Sequence, residues 1–161
     1  RNGNITTMND HACPPIIRPA VITDLPEILG LLTDDPLGAK RETPDNLAPY
    51  QAAFAKIEAD PNQLLLTMER SNIIIGTLQI TFITGLSRQG ATRANIEGVR
   101  IASAERGQGL GTLFIEAAIE EARKRGCNLV QLTSDRSREG AHRFYERLGF
   151  EYTHAGYKMM L

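Results

Sequence analysis

The chain has no tryptophan, and its aromatic content is five phenylalanines and four tyrosines in 161 residues. So few rings leave little stacking surface for single-stranded nucleic acid. An excess of charge of one sign is also missing: 18 Lys+Arg stand against 19 Asp+Glu, for a formal net charge of −1. A binder of phosphate backbones carries a clear basic excess, so no nucleic-acid partner is expected. No apolar run is longer than Ile28–Leu32, far short of the ~18 residues that cross a bilayer, and no membrane partner is expected. Only two cysteines are present, Cys13 and Cys127, and they form neither a disulfide framework nor a CxxC pair. With no signal-like apolar segment at the start, this favours a reducing, cytoplasmic location. The three histidines, His11, His142 and His154, lack metal-ligand spacing, and no metal site is expected.

What is present is ordinary soluble-protein material, 42% apolar and 23% charged. Residues 1–13 are polar and without periodicity, and read as a flexible N-terminal tail. Residues 14–161 have the length of a single domain. No repeat, linker or low-complexity segment divides them.

Hydrophobic periodicity supplies the elements. A short strand, Ile16–Arg18, precedes a helix near Asp24–Leu32. Thr23 or Asp24 can cap this helix, Pro26 suits its first turn, and Ile28, Leu31 and Leu32 form its apolar stripe. A second helix runs from near Pro49 to before Pro61, with Tyr50, Phe54 and Ile57 on one face. The period then changes to that of strands at Gln63–Glu69 and Ile73–Thr84, joined by a turn at Arg70-Ser71-Asn72, with Gly76 as a bulge candidate. A strand near Arg93–Ala102 leads into a helix from about Gln108 to Arg125. Its stripe is Leu110, Leu113, Phe114, Ala117, Ala118 and Ala122, and Gly126 ends it. Cys127–Thr133 reads as a buried strand. A helix capped by Ser137 runs through Leu148, with Gly149 as its left-handed terminator and Phe150 as the apolar contact that follows. Phe150–Thr153 and Tyr157–Leu161 read as two closing strands. The order predicts an α+β fold: a mixed, mostly antiparallel sheet flanked by helices, with one right-handed β-α-β crossover.

The strongest local signal is Arg106-Gly107-Gln108-Gly109-Leu110-Gly111, lying between a strand and an amphipathic helix. Glycines clear side chains from a helix entry where backbone N–H groups lack partners, and a pyrophosphate can collect those donors together with the favourable end of the helix dipole. The bland alternative is a glycine-rich turn without a ligand. No Lys follows Gly111, so this is no Walker loop, and the spacing GxGxG departs from the GxGxxG of dinucleotide folds.

The R/Q-x-x-G-x-G/A pattern resembles the coenzyme A signature of the GCN5-related N-acetyltransferase (GNAT) family. The preceding strand Asn95–Ile101, the segment Arg143-Phe144-Tyr145-Glu146-Arg147-Leu148-Gly149-Phe150, and the opening Ile16-Ile17-Arg18-Pro19-Ala20 with Asp24-Leu25-Pro26 agree with it. The resemblance covers about residues 16–161. It implies the acyl-CoA N-acyltransferase (GNAT) fold, acetyl-CoA as co-substrate, and direct transfer of the acetyl group to a primary amine of a small molecule in a ternary complex. The alternatives are a protein or peptide acceptor, or a non-catalytic acyl-CoA-binding module. Homodimers are frequent in the family, so a homodimer is an expectation.

By the same resemblance, backbone N–H groups of Arg106, Gly107, Gln108, Gly109, Leu110, Gly111 and Thr112 hold the pyrophosphate. Val99, Arg100 and Ile101 pair with the pantetheine, and an N–H near Val99 meets the acyl carbonyl, an oxyanion-type contact. Tyr145 protonates the departing thiolate. Arg138 stands where members of the family often carry Asn, and faces a cofactor phosphate; Ala141 lies on the same helix face toward the cofactor. Glu97 is the candidate general base. Spacing alone also allows Tyr145 to be core, and Glu97 to be a solvated strand charge or a partner for Arg93 or Arg100. Acceptor choice falls to residues 33–48, 85–92 and 154–157, in which Asp34, Asp35 and Glu42 would suit a cation or serve as solvated loop charges.

Overall fold

The computed structural model describes residues 13–161; residues 1–12, most of the expected tail and His11 with it, lie outside the described residues. The elements are β1 (Ile16–Pro19), α1 (Leu25–Thr33), α2 (Ala48–Ala59), β2 (Gln63–Arg70), β3 (Ile73–Thr84), β4 (Thr92–Ile101), α3 (Leu110–Lys124), β5 (Leu129–Leu132) and α4 (Glu139–Arg147). The strands form one sheet in the order β1-β2-β3-β4-β5. All pairs are antiparallel except β4–β5, which α3 connects as a parallel crossover.

Local chemistry explains several boundaries. Ser71 and Asn72 both adopt positive φ, 51° and 63°, the two-residue arrangement whose twist matches a hairpin. They join β2 and β3, whose β-branched and leucine residues fill both faces. The core lies between the sheet and α3: Phe114, Ile115 and Ala118 meet Met68, Leu78 and Ile80, all fully buried. Ile115 joins the expected stripe, whereas Leu113 is 42% exposed. In α1 the buried residues are Leu25, Ile28, Leu29 and Leu31, so Leu29 takes the place expected of Leu32. In α2 only Phe54 is buried.

α4 ends as its sequence predicts. Gly149 has φ +88°, its N–H donates to Glu146 O (3.0 Å), and the Phe150 N–H donates to Tyr145 O (3.1 Å). The Phe150 ring then stands edge-to-face on Tyr145, 5.8 Å between centroids. This double hydrogen bond with its apolar clasp closes the helix. Gly149→Ala should lower stability by about 1–2 kcal/mol, because any Cβ strains this backbone conformation; urea unfolding measures it.

Four expectations need correction. Phe150–Thr153 and Tyr157–Leu161 are not strands: residues 150–161 carry no regular structure, and 151–161 are exposed. Strand character needs a partner edge, and none is in contact. Ser137 does not cap α4; its hydroxyl and N–H both go to Asp135 Oδ1, at 2.7 and 3.0 Å, and Arg138 holds the cap position. The bulge opposite Met68/Glu69 places Ile75, beside Gly76, as the extra residue. Asp24 precedes α1 but makes no side-chain cap bond to it.

Asp24 works instead as a hub. It accepts two bonds from Arg18 (2.7 and 3.1 Å) and one from the Val21 N–H (2.9 Å), while Arg18 also reaches Glu69 at 2.8 Å. Arg18 holds the Asp24 carboxyl below the usual carboxylate range; burial opposes this, and the Val21 N–H adds to it. A depressed folded-state pKa gives stability that is present above the unfolded value of about 3.9 and disappears as pH falls through the folded one. Asp24→Asn should therefore cost about 1.5–3 kcal/mol at pH 7, the range for hydrogen bonds to a charged group. The gap between wild type and variant should shrink as pH drops below about 4. Urea midpoints at pH 7 and pH 3 check both statements.

Candidate functional site

The parallel β4–β5 pairing runs from Arg93↔Leu129 to Ile96↔Leu132 and stops there, while β4 continues to Ile101. Beyond Ile96 the two strands part, and among the described residues the β5-facing edge of Glu97–Ile101 has no strand beside it. On the other side β4 still pairs with β3, but with an irregularity between Thr77 and Gln79. Two residues of β4, Gly98 and Val99, oppose Leu78 alone, and Gly98 takes φ +61°. The bulge changes which side chains face the core. Ile96 is buried, Val99 and Ile101 pack against the core cluster, and Arg100 stands on the opposite face.

Next comes the glycine segment. Gly107 and Gly109 have φ +80° and +77°, and a Cβ on either would meet nothing within 4 Å. Gly109 is the cap residue of α3, and the first bond into the helix is Leu113 N–H to Gly109 O, 3.1 Å. None of the six backbone N–H groups from Gly107 to Thr112 reaches an acceptor among the described residues. Six unpartnered donors at a helix N-terminus have the chemistry that an anion such as a pyrophosphate requires. Arg106 departs from the expected role: its N–H points to Ser103 O at 3.4 Å. Its guanidinium braces Ile101 O (3.1 Å) and Asp34 O (3.3 Å). Gly111 has a second duty, since a Cβ there would lie 3.2 Å from Phe144 Cζ. Its bareness brings α4, and with it Tyr145, against the start of α3.

Tyr145 is both core and site-facing. Its ring packs edge-to-face on Phe144, 5.1 Å between centroids, and on Phe150. Its hydroxyl has no hydrogen-bond partner among the described residues, yet it is not among the buried unsatisfied atoms. A phenol locked in a core normally finds a partner; this one is reachable and uncommitted. Burial pushes its pKa up, and Arg100 and Arg138 pull part of that back. The phenol therefore stays protonated at neutral pH.

Arg100 and Arg138 converge on one carboxylate. Arg100 Nε lies 3.1 Å and Arg138 Nη2 2.9 Å from Asp35 Oδ2. Burial pushes the Asp35 carboxyl up, but the Gly38 N–H and the two guanidiniums outweigh it, leaving the carboxyl below its usual range. Asp34 accepts from the Ser103 N–H at 2.8 Å, and Glu42 accepts from the Tyr50 hydroxyl at 2.8 Å. Asp35, Asp34 and Glu42 are thus engaged, and the two aspartates tie the end of α1 to the end of β4 and to the glycine segment. A further brace comes from the far end of β2, where the buried Arg70 meets Glu105 at 2.7 Å and Gln108 at 3.4 Å. Sequence reading missed Asp35 and Arg70 in these roles. The Asp34-Asp35 doublet after α1 is plain in the sequence, but its arginine partners lie more than sixty residues away.

Glu97 is exposed on β4 and accepts from Asn95 Nδ2 at 3.2 Å, with neither Arg93 nor Arg100 as a partner among its hydrogen bonds and ion pairs. Ala141 sits one helical turn before Tyr145, half-buried, with its N–H on Arg138 O. His142 Nε2 is 2.9 Å from Asp135 O, and His154 Nδ1 is 2.7 Å from Thr153 Oγ1. Among the described residues no group of three or more His, Cys, Asp or Glu is placed to hold a metal. Burial pushes the Cys127 thiol up, unlike an activated nucleophile. No helix among the described residues is long and apolar enough to cross a membrane.

Comparison with known proteins gives a consistent set. Residues 25–150 match the model of the Acetyltransferase (GNAT) family. The aminoalkylphosphonate N-acetyltransferase of Salmonella typhimurium is 30% identical over 112 residues, 68% of this chain and 72% of that protein. The L-methionine sulfoximine/L-methionine sulfone acetyltransferase of Pseudomonas aeruginosa is 27% identical over 138 residues, 84% of this chain and 79% of that protein. A shorter stretch of 46 residues is 52% identical to an uncharacterized N-acetyltransferase of Methanocaldococcus jannaschii, and spans 20% of that protein. Among solved structures, a Bacillus halodurans C-125 protein described as a transcriptional regulator superposes with a TM-score of 0.89. It is 45% identical and covers 92% of this chain and 100% of its own.

Proposed function

Because the chain belongs to the GNAT family and is an acetyl-CoA-dependent N-acetyltransferase, we propose that it acetylates a primary amine of a small molecule by direct attack in a ternary complex. The observation that supports this most is the run of six uncommitted N–H groups from Gly107 to Thr112, next to the open edge of β4 and the free Tyr145 hydroxyl. The small-molecule acceptors in the names of the Salmonella and Pseudomonas relatives favour the same class.

The residues divide the work. The cradle N–H groups bind the pyrophosphate of acetyl-CoA, and the edge of β4 at Val99, Arg100 and Ile101 aligns the pantetheine. An N–H near Val99 stabilises the acyl oxygen as it gains charge. Glu97, directly or through water, takes a proton from the incoming ammonium, so that the free amine attacks the carbonyl carbon. The C–N bond forms, the C–S bond breaks, Tyr145 delivers its proton to the sulfur, and the second proton of the attacking nitrogen leaves to solvent or returns to the Tyr145 oxygen. The raised pKa of Tyr145 keeps that proton in place until it is needed. Arg100 and Arg138, held on Asp35, set the field at the phenol.

Residues 33–48, 85–92 and 154–157 select the acceptor. Asp34, Asp35 and Glu42 are occupied by internal partners, so they give no support to a cationic one. Residues 14–161 act as one domain, in the cytoplasm. The test is thiol release from acetyl-CoA across a panel of amino acids, aminophosphonates, polyamines, aminoglycosides and peptides. Turnover with small amines is the expected result. Turnover confined to peptides would move the acceptor to protein, and tight acetyl-CoA binding without any turnover would leave a binding module.

A further inference from the structure

A single 3-10 turn, Ser103–Glu105, joins β4 to the glycine segment. It is firmly held: the Ala102 N–H donates to Ile75 O (2.8 Å), the Ser103 N–H to Asp34 Oδ2 (2.8 Å) and the Glu105 N–H to Ala102 O (2.9 Å). The turn sets the Glu105 carboxylate two residues before Gly107. Beside a run of N–H donors open to an anion, a carboxylate is a repulsive neighbour. The end of β2 answers it. Arg70, the last residue of that strand, places Nη1 2.7 Å from Glu105 Oε2, and the two side chains are only 9% and 17% exposed. Arg70 Nη1 also lies 3.4 Å from Gln108 Oε1, and Gln108 Nε2 donates to Glu105 Oε2 at 3.2 Å. Three side chains close a ring. Gln108 belongs to the glycine segment itself, and its backbone N–H has no partner among the described residues.

We propose that Arg70 is a positioning residue for the anionic coenzyme: it cancels the Glu105 charge beside the glycine segment and, through Glu105 and Gln108, holds that segment ready for the pyrophosphate. The inference rests on the assignment of acetyl-CoA to those N–H groups and deepens it. Arginine suits the task, because its charge is permanent and its planar fork serves two acceptors at once. The cost of taking both charges out of water offsets much of the attraction within so sheltered a pair. Its main consequence is therefore electrical. Together Arg70 and Glu105 present no net charge to an incoming anion. Two residues of chain span at most ~7.6 Å. At that range, with an effective dielectric of ~20–40, one bare carboxylate weakens anion binding by about five- to fortyfold. The two partners thus act with opposite sign. Removing the cation exposes a negative charge at the segment, and removing the carboxylate exposes a positive one. A bond that served only the fold would be lost equally either way.

Titration calorimetry of the full chain with acetyl-CoA, beside urea unfolding, tests this. Arg70→Met keeps much of the length and removes the charge, so its Kd should rise about tenfold at low salt. The gap to wild type should narrow at about 1 M salt, where charges are screened beyond ~3 Å. Arg70→Lys restores the charge and should stay within about threefold of wild type. Glu105→Gln should bind at least as tightly as wild type, although it breaks the same ion pair. Equal weakening in Arg70→Met and Glu105→Gln overturns the proposal, since the bond then served the fold alone. Unchanged affinity in folded Arg70→Met overturns it too, while leaving acetyl-CoA on the glycine segment. A wild type that does not bind acetyl-CoA removes the underlying assignment as well. If Arg70→Met does not fold, Glu105→Gln decides: binding weaker than wild type overturns the proposal, and equal or tighter binding supports it.

Discussion

Tyr145→Phe should lower kcat by ~10²–10⁴, the usual worth of a general acid, while leaving acetyl-CoA affinity and melting temperature near those of the wild type. The substitution keeps the ring, and with it the contacts to Phe144 and Phe150 that close α4. It deletes only a hydroxyl without a hydrogen-bond partner among the described residues. A structural tyrosine would behave in the opposite way, melting early and turning over normally. The pH profile separates the two further. Burial raises the Tyr145 pKa, with Arg100 and Arg138 opposing, so the phenol is protonated through neutral pH and loses its proton only in the alkaline range. Wild-type turnover should therefore decline at high pH as the acid form disappears, and Tyr145→Phe should lack that decline. A thiol of ordinary pKa ~8.5 is a fair leaving group by itself, so residual activity is expected. If neither turnover nor stability changes, Tyr145 is not the acid.

The second large effect concerns the cradle. Gly109→Val should weaken acetyl-CoA binding by at least a hundredfold, about 2.7 kcal/mol, in a protein that still folds. A side chain at 109 meets no protein atom within 4 Å, so its steric conflict is with a ligand approaching the N–H groups. It also enters a backbone held at φ +77°, which costs an L-residue about 1–2 kcal/mol and should appear as a lower urea midpoint. Gly111→Ala provides the contrast. Its backbone is helical, and its Cβ would stand 3.2 Å from Phe144 Cζ, so it should disturb the α3–α4 contact and stability ahead of affinity. Titration calorimetry and urea unfolding on both variants separate ligand approach from packing. Unchanged affinity in folded Gly109→Val removes the cradle assignment, and tighter binding of NAD or ATP than of acetyl-CoA restores the nucleotide readings.

The site shows how far a linear reading reaches. The glycines at 107, 109 and 111 and the stripe behind them were visible as a helix entry with spare donors, because caps and turns are decided within a few residues. Their division of labour was not visible. Gly107 and Gly109 serve backbone conformation and approach, whereas Gly111 serves Phe144, thirty-three residues on. The resemblance gave Arg106 a place among the donors; the fold turned its N–H to Ser103 and its guanidinium to Ile101 and Asp34. The resemblance points to the arginines at 100 and 138, whereas the sequence offers Asp35, which joins them, only as a site for a cation or a solvated loop charge. An ion pair between Asp35 and Arg138 spans 103 residues, and no local pattern records it.

Local pattern was enough to specify the order of the elements as far as α4, the hairpin at Ser71-Asn72, the span of β3, the start of α3 and the closure of α4 at Gly149. Each depends on backbone preference, glycine placement or apolar period within one or two turns of chain. Tertiary structure alone decided where β4 and β5 part, which face of β4 presents Arg100, and which charges are already paired. It also decided that residues 151–161, strand-like in pattern, remain unpaired within one chain. A helix closes its hydrogen bonds within its own segment, but a strand must borrow them from another edge. Whether that edge lies within reach depends on the exit direction at Phe150, and only the folded chain sets that direction.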